Sequence, residues 1–203
     1  MAYREAKHAA LIADTAVKLF KKDGYEHVSV NDICQKAGIS RSSFYMAFSG
    51  KRDVIDYILD RTKADEKAML EGMLDADNDF ERMWSIAHRY LQVALEFGPT
   101  LTGSLLQLEL DGSLDILKSV HAVNDWYIRL TKNCQKSGVI LSTEPAELLA
   151  PMATEMAYMV TYKWCCTGAG FPLIREARVR AEMCYNVAPE YRMTEEQLDA
   201  LDP

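Results

Sequence analysis

Apolar side chains recur at helical spacing along almost the whole chain, and the alternating pattern typical of half-buried strands is nearly absent. The first amphipathic stripe runs up to Gly24, a residue type suited to end a helix in a left-handed conformation. A second stripe steps by four and three residues in turn, from Ile116 to Cys134. These spacings predict an all-α fold of about nine helices.

Breaks between the stripes set the expected helix boundaries. Weak helix formers at 75–79, the Gly98-Pro99 pair, Gly138 and a glycine-rich loop at 167–172 interrupt the pattern. A long helix is expected to start at Lys51, with apolar positions as far as Met73. The remaining helices are predicted over 80–97, 101–110, 114–137, 145–166 and 173–187, with one further turn within 194–201.

Residues 29–48 predict two short helices joined by a tight turn. Ser29 and Asp32 form a weak capping box, Gly38 suits the turn, and Ser40 suits the N-cap of the second helix. Several apolar residues are spaced to pack the two helices together and onto the first long helix: Ile33, Ala37, Ile39, Phe44 and Phe48. The pattern is that of a helix-turn-helix, with a plain helical hairpin as the alternative.

The second short helix would present a polar and apolar outer face, made of Arg41, Ser42, Ser43, Tyr45 and Met46. These side chains suit a major groove, because arginine pairs with guanine, hydroxyls with phosphates or base edges, and apolar atoms with thymine methyl groups. The helix N-termini at Ser29 and Ser40 favour a phosphate, and Lys51 can reach the same strand. In the alternative hairpin these groups would merely be solvated.

The charge is unevenly divided along the chain. A formal net charge of −7 argues against a protein that coats nucleic acid without specificity. Residues 1–60, however, hold nine Lys/Arg and eight Asp/Glu, whereas the remainder holds fourteen and twenty-two. A nearly neutral first part beside an acidic remainder is compatible with a first part that approaches DNA.

The segment LFKKDGYEHVSVNDICQKAGISRSSFYMAFSGKRDVI closely resembles the N-terminal signature of TetR-type transcriptional regulators. The resemblance covers residues 8 to about 60 without a gap and includes Gly24, Tyr25, Gly38, Phe44 and Lys51. It implies a homodimeric, ligand-responsive regulator, in particular a repressor, that binds a double-stranded, palindromic DNA operator. Its expected domains are a helix-turn-helix domain at 1–50 and a helical ligand-binding and dimerisation domain at 51–203.

The resemblance also implies residue roles. Positions that usually touch DNA phosphates are Ser29, Ser40, Ser43, Tyr45 and Lys51, while Arg41 and Ser42 face base edges. Two residues depart from the family pattern, since Ser42 stands where glycine is frequent and Ala47 where histidine is frequent. The DNA sequence that is read is therefore not implied.

The part of the chain after residue 50 carries aromatic and methionine residues suited to a small-molecule effector that is apolar or aromatic. The candidate lining residues are Trp84, His88, Trp126, Tyr127, Met156 and Met159. The competing interpretation is that such a stripe is ordinary core. Small residues on the last two long helices, including Ala150, Ala153, Ala157, Ala177 and Ala181, are the expected dimer face.

Two other functional classes remain open. Cys34 and the vicinal pair Cys165-Cys166 could sense oxidants or a thiophilic metal, although no zinc-type spacing is present. A small all-α enzyme is the more distant alternative, because the chain has no phosphate loop, nucleophile elbow or H-E-x-x-H motif. We expect no enzyme activity, no metal and no cofactor.

Targeting signals are also missing from the pattern. No apolar run approaches the roughly 18 residues of a membrane span, and the charged first residues do not form a signal-peptide core. Five cysteines without regular spacing do not predict a secreted disulfide framework. The sequence therefore predicts a cytoplasmic protein with no membrane partner.

Overall fold

The computed structural model describes residues 2–63, 76–115 and 124–202. Within these ranges the regular elements are helices, and an isolated antiparallel bridge joins Ile140 to Val187. The α-helices are α1 (Ala2–Asp23), α2 (Val30–Ala37), α3 (Arg41–Ala47), α4 (Lys51–Lys63), α5 (Asp79–Leu110), α6 (Asn124–Ser137), α7 (Ala146–Leu149), α8 (Met152–Cys166), α9 (Leu173–Cys184) and α10 (Glu195–Asp199). The predicted all-α class is confirmed.

Two hydrophobic cores divide the molecule. The head core gathers the apolar faces of α1 to α4, with Phe20, Phe44 and Val54 fully buried. The body core gathers α6 to α9, with Tyr127 and Leu173 at its interior. Helix α5 belongs to both, because its buried apolar residues up to Ala94 lie in the body core and its buried apolar residues from Phe97 onward lie in the head core.

Helix α5 is broken where its two cores meet, as the Gly98-Pro99 pair predicts. Gly98 has φ 74° and ψ 167°, a conformation open to glycine and costly for other residues. Pro99 follows and lacks the N–H that a continuous helix would use. We call residues 79–97 the first arm of α5 and residues 99–110 the second arm.

The two arms bend towards each other around α8. The ring of Tyr158 on α8 stacks on Tyr90 of the first arm at 5.3 Å between centroids, and its hydroxyl donates to Glu109 Oε2 of the second arm at 3.2 Å. In a straight helix Tyr90 and Glu109 would lie about 28 Å apart, which is more than one tyrosine can span. The break at Gly98 therefore turns α5 into a bent pair of arms.

Two predicted helices are shorter than expected. The range 145–166 is divided into α7 and α8, because Pro151 cannot donate a backbone hydrogen bond and interrupts the ladder. The last long helix ends at Cys184 rather than near 187, since Asn186 adopts φ 49° and Val187 enters the bridge with Ile140. Residues 114 and 115, the predicted start of the helix at 114–137, are not helical, and residues 116–123 lie outside the described residues, as does the predicted continuation of the Lys51 helix from 64 to Met73.

The small-residue stripe expected at a dimer face is largely internal. Ala150, Ala157, Ala177 and Ala181 are all buried in the body core of the chain itself. The expectation that these four residues face a partner is wrong, because they let α8 and α9 approach α5 and each other closely; the side chain of Ala153 lies outside the described part of the chain. The exposed face of α8 instead carries Met159 and Tyr162, which are 64% and 54% exposed.

A fully buried arginine ties α9 to the first arm. Arg178 is 0% exposed; its guanidinium pairs with Glu81 at 2.5 and 2.8 Å and with Glu182 at 2.7 Å. The same guanidinium lies over the rings of Phe80 and Trp84, at 5.0 and 5.2 Å from their centroids. Two carboxylates and two aromatic faces thus compensate one buried charge.

Segments distant in sequence also complete α9. Its N-terminal residue is preceded by Pro172, which offers no side-chain cap. The carboxylate of Asp202 takes that place and accepts hydrogen bonds from the backbone N–H groups of Ile174 and Arg175, at 3.0 and 2.7 Å. Within the described residues, no helix has the length and apolar character that crossing a membrane requires.

Candidate nucleic-acid interface

Local side-chain bonds fix the N-terminus of α2. Ser29 Oγ accepts from the backbone N–H of Asp32 at 3.2 Å, and Asp32 Oδ2 accepts from the Ser29 N–H at 2.8 Å. The Ser29 hydroxyl also donates to Asp32 Oδ2 at 2.6 Å. These bonds lower the pKa of the Asp32 carboxyl below its ordinary value. The predicted capping box is confirmed.

The turn between α2 and α3 needs glycine at one position. Gly38 adopts φ 68° and ψ 34° and closes α2 through its N–H. Ser40 then caps α3 by accepting from the backbone N–H of Ser43 at 3.1 Å. Its Oγ lies 2.8 Å from the hydroxyls of both Ser42 and Ser43. The three serines thus form one hydroxyl cluster at the start of α3.

Helix α3 has one buried face and one exposed face. Phe44 and the C-cap residue Phe48 pack in the head core. The opposite side exposes Arg41, Ser42, Tyr45 and Met46, and Met46 is 85% exposed. The Arg41 guanidinium lies 5.9 Å from the centroid of the Tyr45 ring. This face offers a cation, hydroxyls and apolar atoms together, which is the chemistry needed to read base edges and phosphates.

Lys51, at the first position of α4, is held by the turn after α1. Its Nζ donates to the backbone carbonyl of Tyr25 at 2.7 Å and lies 4.3 Å from the centroid of the Tyr25 ring. The side chain of Lys51 is half-buried. The sequence analysis selected Lys51 as a phosphate contact but did not identify Tyr25 as its partner. The two residues are 26 positions apart, and no local pattern links them.

The candidate effector residues fall into two groups. Trp84 stacks on His88 at 5.9 Å on the first arm, and Trp126 contacts Tyr127 edge to face at 5.4 Å on α6. The Tyr127 hydroxyl donates to the carbonyl of Met83, so the two groups approach the same turn of α5. Met156 is half-buried against the body core, whereas Met159 points to the exposed face of α8. Their role as lining residues stays a prediction.

The candidate thiols lie in different surroundings. Cys34 is buried in the head core, Cys165 is half-buried beside the second arm, and Cys166 is exposed. Burial raises the pKa of the Cys165 thiol to about 11, which keeps it protonated at neutral pH and poorly reactive. Among the described residues no group of three or more His, Cys, Asp or Glu side chains is arranged to hold a metal ion.

Comparison with known proteins relates the head of this molecule to a family. Residues 12–58 match the model for bacterial regulatory proteins of the tetR family. The HTH-type transcriptional regulator EthR of Mycobacterium tuberculosis is 35% identical over 80 residues, which are 38% of this chain and 37% of that protein. The chain spans about a third of the length of the curated relatives it matches.

Solved structures extend the likeness to most of the chain. The fatty acid degradation regulator FadR from Bacillus halodurans has a TM-score of 0.70 at 16% identity, over 88% of this chain and 94% of that one. The transcriptional regulator FadR from Bacillus subtilis, in complex with stearoyl-CoA, has a TM-score of 0.65 at 17% identity, over 87% and 97% of the two chains. At these identities the likeness shows the fold.

Proposed function

We propose that this chain, whose residues 12–58 match the model for bacterial regulatory proteins of the tetR family, is a ligand-responsive repressor that binds a palindromic DNA operator as a homodimer. The exposed face of α3 carries this proposal. Arg41 reads a base edge there, the serine cluster and Tyr45 contact phosphates, and Met46 adds apolar surface. The first 60 residues, with nine Lys/Arg against eight Asp/Glu, add little repulsion towards DNA.

A dimer follows from the symmetry of such an operator, because two copies of α3 must enter successive major grooves about 34 Å apart. The apolar residues that the chain leaves exposed on α8 and α9, Tyr162 and Met183 among them, support a partner surface there. We expect Tyr162→Glu to weaken self-association, as measured by sedimentation at micromolar concentration. A wild-type monomer under these conditions would contradict the homodimer.

Selection from random DNA is the direct test of operator binding. The protein should enrich a near-palindromic duplex, and its affinity should fall as salt rises. Arg41→Ala should relax discrimination at one symmetric base-pair position, at a cost of roughly 1–3 kcal/mol per half-site if a bidentate guanine contact is lost. Failure of the wild-type protein to enrich any sequence would overturn the proposed function.

The effector is proposed to bind in the body, near Trp84, His88, Trp126 and Tyr127. The FadR regulator that shares this fold was solved with stearoyl-CoA, whose acyl chain is apolar, and this supports an apolar or aromatic effector here. Such a compound must bind the released state more tightly than the DNA-bound state, because equal affinities shift nothing.

A panel of apolar and aromatic compounds can be screened for release of the selected duplex together with a change in tryptophan fluorescence. Trp126→Ala should weaken the response to an active compound and leave operator affinity nearly intact. If oxidation of a thiol releases the duplex and no compound of the panel does, the thiol-sensing alternative replaces the effector.

A further inference from the structure

The ammonium group of Lys51 is fixed in the structure before any DNA is bound. One of its three N–H groups donates to the Tyr25 carbonyl, and the ring of Tyr25 lies beneath the charge at 4.3 Å. A lysine ammonium has three donors, so the contact with Tyr25 leaves donors for a phosphate oxygen. Tyr25 thus fixes the position of the ammonium group and leaves two of its N–H groups able to bind a phosphate.

Tyr25 is itself held in place by two contacts, one in the head core and one with the second arm of α5. Its ring is buried in the head core and contacts Phe20 edge to face at 5.3 Å. Its backbone N–H donates to Ser104 Oγ on the second arm of α5 at 3.3 Å. Ser104 donates its own proton to the carbonyl of Thr100, which leaves an oxygen lone pair for Tyr25. A chain of contacts therefore runs from α5 through Tyr25 to Lys51.

We propose that Tyr25 is a positioning residue for operator binding: it pre-organises Lys51 as a phosphate contact, and Ser104 connects this contact to the second arm of α5. This inference rests on the proposed function and assigns Tyr25 and Ser104, neither of which faces DNA, to the binding machinery. A free lysine side chain loses conformational entropy when it binds a phosphate. A lysine that is already held on a carbonyl and a ring has lost most of that freedom beforehand.

The test is a double-mutant cycle on the duplex that the wild-type protein selects from random DNA. Lys51→Met should lower the salt slope of log K by about 0.9 per subunit, because one phosphate contact is lost. Lys136→Met, an equal charge change at an exposed position of α6, should leave the slope unchanged. Tyr25→Phe keeps both the ring and the carbonyl, so Lys51→Met should cost as much affinity in this variant as it does in the wild-type protein.

Tyr25→Leu removes the ring beneath the ammonium and keeps an apolar side chain in the core. It should weaken operator binding about fivefold in the chain that has Lys51, on the scale of one cation–π contact. In the Lys51→Met background the same substitution should change affinity less than twofold. An equal loss in both backgrounds means that Tyr25 acts on the fold alone, and overturns the proposal.

Ser104→Ala tests the link to the second arm of α5, and it replaces Tyr25→Leu if that variant does not fold. Because Ser104 is only half-buried, its loss should spare the fold and weaken operator binding two- to threefold, again only where Lys51 is present. If Ser104→Ala leaves operator binding unchanged, the proposed link to α5 is overturned. An unchanged salt slope in Lys51→Met overturns the phosphate contact while operator binding itself, and with it the proposed function, stands.

Discussion

The head and the body of this molecule are stabilised over very different distances along the chain. In the head, the ends of α2 and α3 are fixed by side chains three residues away, as in the pairs Ser29–Asp32 and Ser40–Ser43. In the body, α9 is fixed by Glu81, 97 residues from Arg178, and by Asp202, 28 residues from Ile174. The ends of α2 and α3 are therefore set by neighbouring residues, whereas α9 depends on parts of the chain that are distant in sequence.

This difference bears on what each part does. The proposed DNA-binding face needs side chains held in fixed positions. Local caps hold the ends of α2 and α3, whereas Lys51 is held by Tyr25, which is in turn bonded to Ser104 on the second arm of α5. The proposed effector site lies among residues held by long-range contacts, which a ligand can strengthen or loosen. The three tryptophans, Trp84, Trp126 and Trp164, all lie in the body, so tryptophan fluorescence follows the body separately from the head.

The largest expected effect comes from breaking the buried ion pair of the body. Arg178→Met leaves Glu81 and Glu182 without their cation, and loss of one partner of a buried pair costs about 3–5 kcal/mol. Urea unfolding monitored by tryptophan fluorescence should show this loss.

The matched control is Lys132→Met, which removes an exposed pair with Glu147 and should cost at most about 1 kcal/mol. Amide hydrogen exchange in α2 and α3 should be nearly unchanged by Arg178→Met under native conditions. Equal acceleration of exchange in the head and the body would show that the stability of α2 and α3 depends on the buried ion pair as much as the stability of the body does.

A smaller effect is expected from the cap of α2 in the head. Ser29→Ala removes the acceptor for the Asp32 N–H, and loss of such a cap costs typically about 1 kcal/mol. Hydrogen exchange of the α2 amides should accelerate while the tryptophan-monitored transition stays nearly in place. Asn31→Ala, at an exposed position of the same helix, is the control and should leave both signals unchanged.

The smallest effect concerns the response of the two parts to acid. Burial, reinforced by the nearby Arg178 charge and opposed by Asp202, lowers the pKa of His88 below 6.5. The folded body then disfavours protonation, so its stability is fully present above pH 6.5 and decreases as the pH falls through the lowered value. The pKa of Asp32 in the head is lowered from 3.8 by its bonds to Ser29, so that contribution is lost only below about pH 4.

Urea unfolding followed by tryptophan fluorescence should therefore show that the body loses stability as the pH falls below 6.5, while the α2 amides keep their protection down to about pH 4. His88→Gln should remove the first of these changes and leave the second in place. Loss of both signals at the same pH in the wild-type protein would contradict the separate acid responses of the head and the body.

The sequence predicted the head in detail because its determinants are local. The capping box at Ser29, the glycine at Gly38 and the cap at Ser40 each act within a few residues, and their outcome can be inferred from spacing alone. The all-α class and the break at Gly98 are likewise local properties. The family resemblance identified the same segment and also suggested roles for its residues.

The body could be predicted only in outline. Periodicity shows that an alanine stripe is apolar on one side, but it does not show whether that side meets a partner or the same chain, and Ala157 and Ala177 meet the same chain. The pairing of Arg178 with Glu81 and the hold of Tyr25 on Lys51 depend on which helices become neighbours. That information arises only when the chain is folded.

The break at Gly98 also separates the helical phase of the two arms. In a continuous helix, one inserted residue turns everything beyond it by about 100°, so a change of length in the first arm would rotate Ser104 away from Tyr25. At Gly98 the backbone leaves the helical conformation, so the rotation of each arm about its axis is set by the core against which that arm packs. Insertions and deletions in the first arm can thus be absorbed at one glycine, which lets the body vary in length while the head keeps its register.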